Sequence, residues 1–224
     1  MIIASQKRKE NIAEYLLYMW QIEDIIRSNN LDIEQIRTGI VDKFPVDEPT
    51  RKAMLEWYES LIDMMRREEV VEKGHLQMNN NIIGDLADLN RRVLAEPRFD
   101  AYRTEYYRTL PYIVELRARS GENPAGEIET CFNALYGVLL LRLSGKEISA
   151  QTAAAIDQIS KFTALLARYF WLDEHDRLFG PDGKPCKDAV QTAETPEIRA
   201  ENQDCPGLSG MPAEAPGVPL HKNI

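Results

Sequence analysis

The segment IAEYLLYMWQIEDII, residues 12–26, has the period of an α-helix. Its apolar side chains recur every three or four residues, which places them on one face when successive residues are about 100° apart. This face consists of Ile12, Tyr15, Leu16, Met19, Ile22 and Ile26. Leu17 and Trp20 add apolar surface outside the face, and a helix that is apolar over most of its circumference usually lies centrally in its fold. We therefore expect this helix, about residues 5–28, to be central.

The chain repeats this helical period up to about residue 178. Further helices are predicted over about residues 33–43, 49–73, 75–95, 99–120, 123–145 and 149–172. No segment shows a convincing period-2 alternation of a strand. Pro111 lies within one predicted helix and should kink or divide it. Because the connections are short, neighbouring helices should run antiparallel. The sequence thus predicts an all-α fold, an antiparallel multi-helix bundle of about six or seven helices.

The composition changes near the end of the helical part. The last 45 residues contain seven of the twelve prolines and five of the twelve glycines, and large apolar residues become sparse. Such a composition favours disorder over a packed core. We therefore predict a single α-helical domain over residues 1–178 and a Pro/Gly-rich disordered tail over residues 179–224.

Charge and cysteine content argue against several classes of protein. A net charge of −9 and a pI near 5.0 disfavour nucleic-acid binding, which needs a basic surface. No segment approaches the roughly 20 apolar residues of a membrane span, and the N-terminus lacks the apolar region of a secretory signal. Cys131, Cys186 and Cys205 have no metal-site or disulfide spacing. We expect a cytoplasmic protein that does not cross a membrane and does not bind nucleic acid, a metal or a cofactor.

Five polar residues interrupt the apolar faces of the predicted helices, namely Glu23, His75, Asn79, Arg117 and Arg142. An ionised group buried without a partner costs several kcal/mol. Three interpretations remain open. The residues near helix ends reach water, with arginine stems covering apolar surface; Glu23 and Arg142 form a buried structural pair; or the residues line a polar pocket inside the bundle.

Glu72 and His75 have the Glu-x-x-His spacing of di-iron helical bundles. Such a site needs the motif twice, and His175 and His221 both lack it. We find no nucleophile motif or nucleotide-binding loop either. The sequence therefore assigns no metal ligand and no catalytic residue.

Two segments carry a resemblance to a known family. They are QKRKENIAEYLLYMWQIEDIIR, residues 6–27, and EIETCFNALYGVLLLRLSGKEIS, residues 127–149. Both resemble an uncharacterised all-helical bacterial family that is classed only as a domain of unknown function, over about residues 1–175. The resemblance implies a helical, cytoplasmic bacterial protein, and it implies no activity, cofactor or catalytic residue.

The function favoured by these observations is that of a non-enzymatic domain that acts through protein–protein contacts or self-association. A homodimer or another protein partner is implied if Leu17 and Trp20 form an exposed apolar patch. The alternative is a small-molecule binding protein or an enzyme with a polar pocket. That pocket would require Glu23 and Arg142 to converge with at least one of the other three polar residues.

Overall fold

The computed structural model describes residues 2–121, 124–180, 184–186 and 189. Within these residues there is no strand, and a single antiparallel bridge joins Phe179 and Pro185. A short 3-10 helix, Val41–Lys43, follows the third α-helix. The described part of the chain forms eight α-helices, namely α1 Ile2–Glu10, α2 Ile12–Ser28, α3 Ile33–Gly39, α4 Glu48–Arg67, α5 Gln77–Ala95, α6 Asp100–Arg119, α7 Glu127–Leu143 and α8 Ala150–Glu174. The predicted all-α fold is confirmed, and the antiparallel order of the helices stays a prediction.

The first predicted helix is two helices, because Asn11 interrupts it. The Asn11 Oδ1 atom accepts hydrogen bonds from the backbone N–H groups of Ala13 at 3.0 Å and Glu14 at 3.4 Å. A short side chain that accepts from these N–H groups caps the start of a helix. Asn11 therefore ends α1 and begins α2 within one continuous apolar pattern.

The third predicted helix is shorter than expected. It ends at Arg67 and not at residue 73. Glu69 adopts the left-handed region with φ 58°, and the Val70 N–H then bonds to the Met65 carbonyl at 3.0 Å. This bond pattern closes a helix C-terminus. Because α5 begins only at Gln77, an irregular loop separates the two helices.

Pro111 lies inside α6 without dividing it, since α6 is continuous from Asp100 to Arg119. Proline lacks the N–H that would bond to the carbonyl four residues earlier. Pro111 is exposed, so this missing bond falls on the solvent side of α6, where helices tolerate it best. The opposite face of α6 is buried and consists of Tyr102, Tyr106, Thr109 and Ile113.

The described residues group into two compact units. The first comprises residues 2–5 and 18–79, and the second comprises residues 6–17 and 80–180 with 184–186 and 189. The first unit contains most of α2 with α3 and α4, around a core that includes Ile26, Ile36, Leu61 and Met65. The single domain expected over residues 1–178 stays a prediction.

The second unit is built on the mutual packing of α6, α7 and α8. Tyr102 lies at its centre with no exposed surface. Its ring lies 4.9 Å from that of Tyr169 and 5.7 Å from that of Phe162, and its hydroxyl donates to Asn90 Oδ1 at 2.7 Å. A buried hydroxyl that finds an acceptor avoids the cost of an unsatisfied polar group.

Contacts of the second unit continue past the predicted domain end at residue 178. Leu178 is buried, and the ring of Phe179 packs edge-on against Phe99 at 5.6 Å. The Cys186 N–H donates to the Leu178 carbonyl at 2.9 Å, and Ala189 is buried. The predicted disordered tail beyond residue 189 lies outside the described residues.

Candidate functional site

In the described part of the chain, Glu23 is the only acidic or basic side chain that is buried, with 0% of its surface exposed. Its Oε1 atom accepts hydrogen bonds from the Leu76 backbone N–H at 3.0 Å and from Asn79 Nδ2 at 2.7 Å. Its Oε2 atom lies 2.6 Å from His75 Nδ1. All four residues belong to the first compact unit, so α2 contacts the loop before α5 and the first turn of α5 through one carboxylate.

The contact with Glu23 bears on the tautomer of His75. An ionised carboxylate can only accept, so the His75 Nδ1 atom carries a hydrogen whenever Glu23 is ionised. The imidazole also stacks on Trp20, with ring centroids 4.0 Å apart and an interplanar angle of 12°. Trp20 and Glu23 therefore fix the position of the His75 ring together, and the hydrogen bond to an ionised Glu23 selects its tautomer.

Glu23 also caps the N-terminus of α5. The segment Gly74–Leu76 offers no Ser, Thr, Asp or Asn side chain that could cap this helix locally. The Leu76 N–H donates to Glu23 instead, and the Gln77 N–H donates to Glu68 Oε2 at 2.6 Å. Free N–H groups and the helix dipole make a helix N-terminus a favourable place for anions. Two carboxylates from outside α5 therefore replace its missing cap.

Arg27 fixes the loop that carries His75. Its Nη2 atom donates to the Val70 carbonyl at 3.1 Å and to the Gly74 carbonyl, while its Nη1 atom donates to Asp24 Oδ1 at 2.8 Å. Gly74 has φ 88°, a conformation that favours glycine. The loop between α4 and α5 is thus attached to α2 by Arg27 as well as by Glu23.

This arrangement is better suited to structure than to chemistry. A carboxylate–imidazole pair can transfer protons when a substrate reaches it. Here both oxygens of Glu23 are committed to donors that position α5. Among the described residues, the Asn79 Oδ1 atom is buried without a hydrogen-bond partner. Such atoms are usually met by buried water.

The other two polar residues of the sequence prediction do not join this cluster. Arg142 belongs to the second unit and is exposed. Arg117, in the same unit, is half-buried and donates from Nε to the Ala125 carbonyl at 2.9 Å. Of the three interpretations, a buried pair is the one nearest to the structure, but the partner of Glu23 is His75 and not Arg142. Asn79 is fully buried, so the interpretation in which residues near helix ends reach water does not apply to it.

The structure buries one of the two residues of the predicted contact surface, Trp20, and half-buries the other, Leu17. Trp20 is only 1% exposed, and the His75 ring stacks on it. The loop after α4 covers Trp20, and helical periodicity alone does not reveal a loop that folds back.

Sequence reasoning missed a different apolar surface, on α6. Tyr107 is 57% exposed and Val114 is 56% exposed. Pro111, which lies between them in the sequence, and Ala118, which follows Val114, are exposed as well. Their spacing of four, three and four residues places all four on one side of the helix, opposite its buried face. We name these four residues the α6 stripe. Its signal in the sequence is a second set of apolar positions at helical spacing, out of phase with the buried set.

The chain is thus an all-α protein in which a buried carboxylate holds an irregular loop and caps a helix. A family model described as domain of unknown function (DUF4924) matches residues 1–177, so the chain belongs to this family. The resemblance of its two segments to an uncharacterised helical family is thereby confirmed. No curated protein and no solved structure matches the chain. Of the helices described, none combines the length and the apolar character that a membrane crossing requires.

Proposed function

We propose that this protein is a non-enzymatic, cytoplasmic helical domain that acts through contacts with protein surfaces, chiefly with a second copy of itself. The α6 stripe is the observation that carries this proposal. Single exposed apolar side chains are ordinary in proteins. Four of them in a row on one helix face form a continuous patch, and such patches are typical of interaction sites.

The size of the stripe sets the expected strength of the contact. From Tyr107 to Ala118 it spans about 16 Å at 1.5 Å per residue. A stable interface usually buries about 800 Å² on each partner, which is more than one helix stripe of this length provides. We therefore expect a dissociation constant in the micromolar range or weaker, equivalent to about 8 kcal/mol or less.

The alternative of a small-molecule pocket has less support. It requires Glu23 and Arg142 to converge, and Glu23 instead has three donors from its own unit. A carboxylate with both oxygens in use has little capacity left to recognise a ligand. The same contacts support the structural role that we assign to Glu23.

Sedimentation velocity over about 5 to 500 µM tests the proposal, since this range brackets a micromolar constant. The wild-type chain should sediment faster as its concentration rises. The double variant Tyr107→Glu/Val114→Glu should remain a monomer throughout. Met78→Glu is the matched control, because Met78 is an exposed apolar residue on α5, with 39% exposure, and this variant should behave like the wild type.

Two results would overturn the proposal. One is a wild-type chain that stays monomeric up to the highest concentration. The other is association that the double variant leaves unchanged, because the contact would then lie away from the α6 stripe.

A further inference from the structure

We propose that two copies of this chain pair through α6 as an antiparallel two-helix coiled coil, in which Arg108 of one copy faces Glu115 of the other. This inference rests on the proposed function and specifies the geometry of the contact. It follows from the spacing of the α6 stripe and from the charges beside it.

The stripe has the alternating spacing of the core positions of a heptad repeat. Tyr107 and Val114 are seven residues apart and occupy one core position, and Pro111 and Ala118 occupy the other. Thr104, seven residues before Pro111, is also exposed and extends the seam by about one turn beyond Tyr107. α6 therefore presents an unbroken core seam to solvent over two heptads.

The residues next to this seam carry opposite charges. Arg108 and Glu115 each follow a core residue directly, and their side chains are 67% and 48% exposed. In a coiled coil the charges that flank the seam set the orientation of the helices. In an antiparallel pair the same flanking position of both copies lies on one side, so Arg108 meets Glu115 of the second copy. Two-fold symmetry produces this contact twice.

The register agrees with this pairing. When Pro111 lies opposite Val114 of the second copy, Arg108 and Glu115 of the second copy are offset along the axis by two residues. This offset is about 3 Å, within the reach of both side chains. A parallel pair would instead bring the flanking Arg103 towards Arg108 of the second copy, a contact between like charges.

The contacts that Arg108 and Glu115 make within one copy do not prevent them from pairing with a second copy. Arg108 is exposed and lies 3.7 Å from Glu105, whose side chain is 19% exposed and accepts a hydrogen bond from Gln158. Glu115 pairs with Arg119 at the surface of α6. The surface pair is weak, and the Arg108–Glu105 separation is longer than a hydrogen bond. Pro111 limits the affinity, because the Tyr107 carbonyl lacks its intrahelical donor there and loses water when the seam is covered.

Charge reversal tests the geometry in the full-length chain. Arg108→Glu and Glu115→Arg each turn two attractive contacts into repulsive ones, and each alone should raise the dissociation constant of the homodimer about tenfold. The double variant Arg108→Glu/Glu115→Arg should associate as the wild type does. An equimolar mixture of the two single variants should also restore association to the wild-type level, because the heterodimer again contains two opposite-charge contacts.

The pattern of results separates the possible failures. If wild-type association is lost in Tyr107→Glu/Val114→Glu but insensitive to charge reversal, the stripe is a contact and the antiparallel geometry is wrong. A parallel pair is indicated if Arg108→Glu alone associates more tightly than the wild type while Glu115→Arg is unchanged, because Arg103 then faces an opposite charge at position 108 of the second copy and position 115 faces the uncharged Leu110. Absence of association in the wild type refutes the proposed function itself. Far-UV circular dichroism of each variant must match the wild type, so that loss of association is not loss of fold.

Discussion

Replacement of Glu23 by alanine tests whether the buried carboxylate holds α5 to α2. The change removes the acceptor of three hydrogen bonds and leaves their donors behind. Two of the donors, the Leu76 N–H and the Asn79 amide, belong to residues with no exposed surface. The third, the His75 ring, is 23% exposed and can recover part of its hydration.

The cost follows from these numbers. A buried donor left without an acceptor costs about 1–3 kcal/mol, so the Leu76 and Asn79 donors together cost about 2–6 kcal/mol. The cavity left by the shortened side chain adds to this cost. We expect Glu23→Ala to lower the free energy of unfolding by about 3–5 kcal/mol, the usual range for disruption of a buried polar network. Native domains typically have about 5–15 kcal/mol of stability, so a chain at the lower end of this range would become marginal.

Glu23→Gln provides the informative comparison. The glutamine carbonyl can still accept from Leu76 and Asn79 through the position of Oε1. Its amide N–H₂ replaces Oε2 and needs a lone pair on His75 Nδ1, which requires the other neutral tautomer of the ring. Because only the contact with His75 changes character, we expect Glu23→Gln to cost about 1–2 kcal/mol, clearly less than the alanine variant.

Urea unfolding followed by circular dichroism gives the three free energies, and amide hydrogen exchange at Leu76 reports the local contact. Exchange at Leu76 should accelerate strongly in Glu23→Ala and little in Glu23→Gln. The control Glu14→Ala removes an exposed glutamate from the same helix and should change stability by less than about 1 kcal/mol. The reasoning fails if Glu23→Ala costs no more than this control, or if the glutamine and alanine variants cost the same.

Three further predictions concern other parts of the chain. Burial raises the pKa of the Cys131 thiol from 9.0 to about 12 and the pKa of Tyr18 from 10.0 to about 12. Between the ordinary and the raised pKa, each group is neutral in the folded protein and ionised in the unfolded chain. The free energy of unfolding should therefore be constant below about pH 9 and fall by ~1.4 kcal/mol per pH unit for each ionising group towards pH 12. Urea midpoints that stay constant up to pH 11 would contradict this. The hydrogen bonds that Asp47 accepts at the start of α4 lower its pKa, so its contribution is present above the ordinary aspartate pKa and is lost as the pH falls through the lowered value; Asp47→Asn should remove this acid dependence in thermal melts and keep the cap. Glu69 has φ 58° and Gly74 has φ 88°, a region that glycine adopts without strain. In urea unfolding, Glu69→Gly should lower the free energy of unfolding by less than about 1 kcal/mol or should raise it. Gly74→Ala should lower it by about 1 kcal/mol or more.

The helical period of the sequence locates most helices, because apolar side chains every three or four residues report which face is buried. It does not locate the break between α4 and α5. Two predicted helices met near Gly74, whereas α4 ends at Arg67 and α5 begins at Gln77. Glu69 closes α4 in a left-handed conformation that glutamate rarely adopts, so no glycine or proline marks the end of the helix. The resulting loop carries His75, whose ring covers Trp20. A prediction that lacks this loop therefore cannot show that Trp20 is buried.

The identity of the partner of Glu23 shows a second limit of the same kind. The helical period places Glu23 on a buried face. Because a buried charge needs compensation, the sequence favours a cationic partner, and Arg142 on another apolar helix face is the candidate. The structure compensates the carboxylate with N–H donors and the N-terminus of α5, which also stabilise an anion. That solution is visible in the sequence only as a deficit, since the residues before Gln77 include no capping side chain. Two features of a sequence together therefore predict such a contact better than charge alone. One is a helix that begins without a local capping side chain, and the other is an acidic residue on the buried face of another helix. The hydrogen exchange of the Leu76 amide in Glu23→Ala tests this account directly.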